Sequence, residues 1–136
     1  MENYIGEVWG LRKQYHFRPS NRGLYAWDVD RLIRLTKDLE PKFISVDSIK
    51  ELDENFWFGG KGDNPTCRAV AEHAKLIQET DLSFPVILCA KGRVMDGMHR
   101  VCKAVLEGKE VIKAVQFSVD PEPDFEDVQS PDELPY

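Results

Sequence analysis

Apolar positions recur along this chain first at helical and then at strand spacing. From Asp28, the series Val29, Leu32, Ile33, Thr36 and Leu39 follows a helical repeat, with Asp28 as N-cap and Pro41 beyond its end. A second helix is predicted after Asn64-Pro65-Thr66. Asn64 or Thr66 caps it, Pro65 suits the first turn, and Val70, Ala71, Ala74 and Ile77 make a stripe expected to be buried before the helix ends ahead of Asp81. A third spans Met98 to Glu107, with Val101, Ala104, Val105 and Leu106 as its apolar members and Gly108 as its C-terminal stop. The shorter runs Phe43 to Val46, Pro85 to Ala90, Arg93 to Met95 and Val111 to Val119 read as strands, the middle two joined by a tight turn at Lys91-Gly92. Asp47 to Leu52 reads as one helical turn capped by Asp47. The order predicts an α+β domain, a small mixed sheet packed with helices.

Between these elements the pattern is less regular. Residues 1–27 interleave Tyr4, Trp9, Tyr15, Phe17 and Trp27 with Arg12, Lys13, Arg18 and Arg22, which suggests a leader packing its rings on the domain or, alternatively, a stacking surface for bases; Pro19 to Gly23 reads as a loop. The loop from Asn55 to Gly62 sets Phe56, Trp57 and Phe58 beside Gly59, Gly60 and Gly62, either a hydrophobic plug or a lid over a site. Lys61 among those glycines lacks the full spacing of a phosphate loop. After Ser118, prolines and acids alternate with Phe125, Val128, Leu134 and Tyr136, an extended tail docked by its apolar members.

Composition narrows the function classes. The chain has 136 residues, the size of one domain, and a formal charge of -6 that owes much to the acids of the tail. Without them the remainder is close to neutral, which argues against a general nucleic-acid binder. No apolar run approaches the roughly 20 residues of a membrane helix. Met1-Glu2-Asn3-Tyr4 lacks the basic start and apolar stretch of a secretion signal, so a cytoplasmic location is expected. Cys67, Cys89 and Cys102 have no C-x-x-C spacing and are expected to be small buried side chains rather than zinc ligands or disulfide partners.

The chemistry concentrates in Asp96-Gly97-Met98-His99-Arg100, between a strand and a helix. The first N–H groups of a helix lack acceptors and carry the positive end of its dipole, which makes an anion site. Gly97 lets a ligand approach the backbone, while His99 and Arg100 add donors, Arg being the preferred fork for phosphate oxygens. Asp96 could hold Mg²⁺, orient His99, accept a proton from a substrate hydroxyl, or simply cap the helix. His73, between Val70 and Ile77, is expected to be a partly buried histidine bonded to a neighbour, or a supporting partner of the phosphate site. His16 and Arg18 suggest no partner. No clustered carboxylates support a metal-dependent nuclease.

The run Phe84 to Leu88, then Gly92 to Arg100 through Asp96-Gly97-Met98-His99, then Lys103 to Gly108 and Val111 to Val115, resembles the core of the ParB/sulfiredoxin-like superfamily. Ile44 to Ile49 resembles its opening strand and turn, and Thr66 to Ile77 its next helix. The likeness spans residues 43–119 and implies a core there, flanked by an extension at 1–42 that carries the first helix and by the acidic Pro-rich tail at 120–136, one compact domain overall. It implies phosphate binding by Gly97, Met98, His99 and Arg100, with ATP, ADP or CTP as the nucleotide and Mg²⁺ on Asp96. The sulfiredoxin motif Gly-Cys-His-Arg is matched at Gly97, His99 and Arg100, but Met98 replaces the reactive cysteine, so sulfiredoxin activity is not expected. The Gly-Glu-Arg-Arg motif of CTP-hydrolysing partition proteins is matched only at Gly97 and Arg100, and no helix-turn-helix follows. The Asp-Gly-His-His-Arg run of the ADP-dependent free serine kinase is nearest, departing only at Met98. That branch implies phosphoryl transfer to a small-molecule acceptor, with Asp96 at the reacting end and Asp53 or Glu54 as base. The rival expectation, from a different class, is a non-catalytic ParB-like module for a protein or DNA partner. Oligomeric state is not legible in the sequence.

Overall fold

The computed structural model describes residues 13–59 and 63–136; Tyr4, Trp9, Arg12, Gly60, Lys61 and Gly62, singled out above, lie outside them. Within those residues the chain is a mixed α+β protein with two small sheets and three α-helices.

The first sheet begins where a leader and a loop were expected. Strands β1 (Tyr15–Ser20) and β2 (Gly23–Asp28) form an antiparallel hairpin, with Tyr15 opposite Asp28 and Ser20 opposite Gly23. Alternation explains it: Tyr15 and Phe17 join Leu24, Phe125 and the buried Ala26 and Val128 in one apolar cluster. His16 and Arg18 instead meet Trp27, whose ring carries the Arg18 guanidinium 4.8 Å from its centroid. The expected loop is only its turn, Asn21-Arg22. The third strand of this sheet, β7 (Phe125–Val128), comes from the tail and pairs with β2 across a bulge. The acids of that tail also bind the domain. Asp124 accepts from the Asp28 N–H at 2.7 Å and from Arg31 at 3.2 Å, Asp120 from the Ala90 N–H at 2.8 Å and from Arg18 at 3.2 Å.

The second sheet is the expected mixed one, in the order β3 (Lys42–Ser45), β6 (Val111–Gln116), β4 (Val86–Leu88), β5 (Val94–Asp96). Only the β4–β6 pair is parallel. Ahead of it, α1 (Val29–Thr36) starts where predicted, the Asp28 carboxylate accepting from the Asp30 N–H at 2.9 Å. It stops at Thr36 rather than reaching Leu39. The stretch expected as one helical turn capped by Asp47 is two 3₁₀ turns, Val46–Ser48 and Lys50–Asp53, neither with a side-chain cap.

Helix α2 (Cys67–Glu79) is capped by Thr66, whose hydroxyl accepts from the Ala69 N–H at 3.1 Å. Its buried stripe differs from the expected one: Leu76 is buried, His73 and Ile77 are half-buried, and Val70, Ala71 and Ala74 face solvent. The helix packs on α3 (Met98–Leu106) along the edge marked by His73, Leu76 and Thr80, so the neighbour and not the apolar count decides which face is covered. Lys103 of α3 secures this edge by donating to the Thr80 and Gln78 carbonyls at 2.7 and 3.0 Å. On α3, Val101 and Ala104 are buried, while Val105 and Leu106 are exposed. Cys67 is exposed too, contrary to expectation, whereas Cys89 is buried. Gly108 closes α3 at φ +70°.

The two sheets meet through Trp27, Leu32, Ile87, Cys89, Met95 and Val115. A second apolar cluster, including Val46, Ile49, Val86, Val94, Met98, Val101 and Ile112, lies where the mixed sheet meets α3. No helix among the described residues is long and apolar enough to cross a membrane.

Candidate functional site

The turn that leads into α3 follows directly from its sequence. Gly97 holds φ +110° at the N-cap position, a conformation side chains rarely adopt, and a Cβ there would come within 2.8 Å of Arg100 Nη2 and 3.2 Å of the Val86 backbone. The Arg100 and Val101 N–H groups both donate to the Gly97 carbonyl, at 3.0 and 3.1 Å. The Met98 and His99 N–H groups precede them and have no intrahelical acceptor, and glycine supplies no side-chain cap. Met98 and His99 line a cleft of about 390 Å³ whose other walls are Gln14, residues 15–17 of β1, Phe56 and Trp57, and the run from Val94 to Gly97.

His99 is held from two sides. Its Nε2 lies 2.8 Å from Nδ1 of His73, and Trp57 stacks across both imidazoles with centroids 4.6 Å from His99 and 4.2 Å from His73. Trp57 thus plugs the space between the 53–58 segment and α3, while Phe56 stays exposed at the cleft. Burial, then His73 and then Arg100 push the His99 imidazole down to about 3; burial also lowers His73. Both rings are neutral at neutral pH, each with one N–H, and one of these two lies in the hydrogen bond between them. The buried His99 Nδ1 has no hydrogen-bond partner among the described residues.

This burial has a consequence in acid. His99 takes up its proton in the folded protein only near pH 3, and His16, lowered by burial and Arg18, near pH 4, whereas unfolded histidine does so near pH 6.5. Their stabilisation is complete above pH 6.5 and declines as pH falls toward the folded values, by about 1.4 kcal/mol per pH unit for each group. The urea midpoint is expected to fall between pH 6.5 and 4, and less steeply in His99→Asn; equal slopes would contradict the assignment.

Arg100 does not line the cleft. Its side chain is 3% exposed, and Nη2 donates to the Asp96 carboxylate at 3.0 Å and to the Pro85 carbonyl at 3.2 Å. It lines a second cavity, beside α1, and Asp96 is on the walls of both spaces. Gly97, Met98 and His99 come together at the cleft as the sequence pattern implies, with Asp96 at its edge. Asp53 and Glu54 do not line it; Asp53 is exposed and Glu54 is bound to Arg93. The sequence reading passed over Glu51, a carboxylate 4% exposed that accepts from the Val94 N–H at 2.8 Å and pairs with Arg93 Nε at 3.2 Å, fixing the 3₁₀ segment to β5. Its place between Ile49 and Leu52 was the signal for an inward-facing acid.

The expected Mg²⁺ finds no free ligand set. Asp96 is already neutralised by Arg100, and among the described residues no group of three or more His, Cys, Asp or Glu side chains could hold a metal ion. The residues do not fit a resident Mg²⁺. Compared with protein-family models, with curated proteins and with solved structures, the chain matches none.

Proposed function

We propose that this protein is a nucleotide-binding domain of the ParB/sulfiredoxin-like type, holding phosphate at the start of α3 and the rest of the nucleotide against the rings of the cleft. The observation that carries the reading is the uncapped N-terminus of α3 opening on a space of about 390 Å³, within the usual range of small-molecule sites. The free N–H groups of Met98 and His99 suit a phosphate oxygen, and Phe56, Trp57, Tyr15 and Phe17 offer flat surfaces for a base. His99, neutral and held by His73, can present Nδ1 as donor or acceptor to the same ligand. Phosphoryl transfer to a small hydroxyl-bearing acceptor is the reaction to which this reading extends. His99 and Asp96 are then the groups at the cleft able to handle the proton.

The test is a thermal-shift series of ATP, ADP and CTP, each with and without Mg²⁺, beside adenosine, cytidine and inorganic phosphate. Binding to the folded state raises the melting temperature by mass action. Nucleotides are expected to raise it and nucleosides to leave it unchanged, and Phe56→Ala, at an exposed position outside the core, should shrink the rise. A flat response to every nucleotide at millimolar concentration would overturn the reading. Salt-sensitive capture of DNA in its place would favour the rival interaction module.

A further inference from the structure

The second cavity, about 370 Å³, lies between α1 and the start of β4 and has mainly apolar walls, among them Ile33, Leu39, Phe84, Ile87 and Val115. Two features set it apart from a packing defect. First, it is lined by Arg100, whose side chain is 97% buried and among the described residues donates through Nη2 to Asp96 and the Pro85 carbonyl. Nε is buried with no hydrogen-bond partner among the described residues. A buried donor left unmade is costly, so a native protein places an acceptor within reach of such a group. Second, Arg34 and Lys37, exposed residues lining the same space, have no ion-pair partner among the described residues. The charged groups around the cavity are therefore Arg34, Lys37, Arg100 and the single opposing carboxylate of Asp96, a balance of two positive charges.

We propose that this cavity is a binding site for a small aliphatic monocarboxylate, its head group at Arg100 with Arg34 and Lys37 beside it, and its chain against Ile33, Phe84, Ile87 and Val115. A carboxylate matches the planar donors of a guanidinium. A single negative charge suits the site better than two, because Asp96 already takes one edge of Arg100 and repels further charge. The apolar walls demand a hydrocarbon body, since a polar one would lose its water without compensation. This site shares only Asp96 with the cleft at α3, and its test stands or falls apart from the nucleotide reading.

The experiment titrates the full chain with butyrate, hexanoate, octanoate and 1-octanol, following methyl resonances of Ile33, Ile87 and Val115. Carboxylate affinity is expected to rise about fourfold per added methylene until the cavity is full. Octanol, lacking the charge-assisted contact, should bind about tenfold more weakly than octanoate. The double variant Arg34→Glu with Lys37→Glu, both at exposed positions, should weaken octanoate by about threefold or more and leave octanol unchanged. Equal affinity for octanol and octanoate, an unaltered affinity in the charge-reversed variant, shifts confined to other methyls, or no binding at millimolar ligand would each overturn the proposal.

Discussion

Arg100→Ala is expected to lower the unfolding free energy by about 3–5 kcal/mol, because removing one member of a buried ion pair leaves the other charge uncompensated. Here the abandoned group is Asp96, whose side chain is 9% exposed. A loss of that size is a large share of the roughly 5–15 kcal/mol that hold a domain together. The companion variant Arg100→Met with Asp96→Asn removes both charges and should recover most of the loss, since an uncharged replacement needs no counter-ion. Urea midpoints at unchanged slope measure both. A cost below about 1 kcal/mol for Arg100→Ala would mean that Asp96 finds another partner. A lost nucleotide response in Arg100→Ala would therefore report damage to the fold, whereas Phe56→Ala reports the cleft itself.

The second large effect is expected at Gly23. Its φ of +143° is rarely open to a side chain, and a Cβ would overlap the backbone carbonyl of Val128 in the neighbouring strand. A carbonyl in a strand cannot swing aside as a side chain end can, so Gly23→Ala combines backbone strain with a steric clash, about 3 kcal/mol together. The damage should be local. Amide protection in β2 and β7 is expected to fall while that of β3, β4, β5 and β6 is kept. Wild-type protection at Leu24 and Ala26 in the variant would contradict the pairing.

How much of this molecule was legible depends on where the information sits. The mixed sheet and the helix starts were readable because these elements carry their own punctuation: Asp28 capping α1, Thr66 capping α2, Lys91-Gly92 as a turn, Gly108 as the stop of α3. The β1–β2 hairpin was not. Its alternation mixes Tyr15 and Phe17 with His16 and Arg18, and those two polar side chains lie against Trp27, Arg18 also bonding Asp120, contacts that only the tertiary structure supplies. The tail reads as docked by its apolar members, yet its acids attach it too, and their partners Arg31, Arg18 and the Asp28 and Ala90 amides are far away in sequence. At the site, the turn from Asp96 to Arg100 was found from its residues, but the direction of Arg100 was not. A guanidinium on a long stem can serve either side of a helix start, and the choice was made by Asp96 and Pro85. Trp57 and the His73–His99 pair were likewise beyond reach as a unit, because stacking joins three separate stretches of chain.

The sheet that contributes one wall of the cleft is assembled from opposite ends of the described chain, its outer strand β7 following the β1–β2 hairpin only after all three α-helices and the whole larger sheet have intervened. During synthesis, then, the turn at 96–100 and all four strands of the larger sheet leave the ribosome before residues 125–128 can brace the hairpin. A growing chain therefore has its polar turn ready while the opposite wall still lacks support, and the cleft is complete only once residues 125–128 have paired with β2.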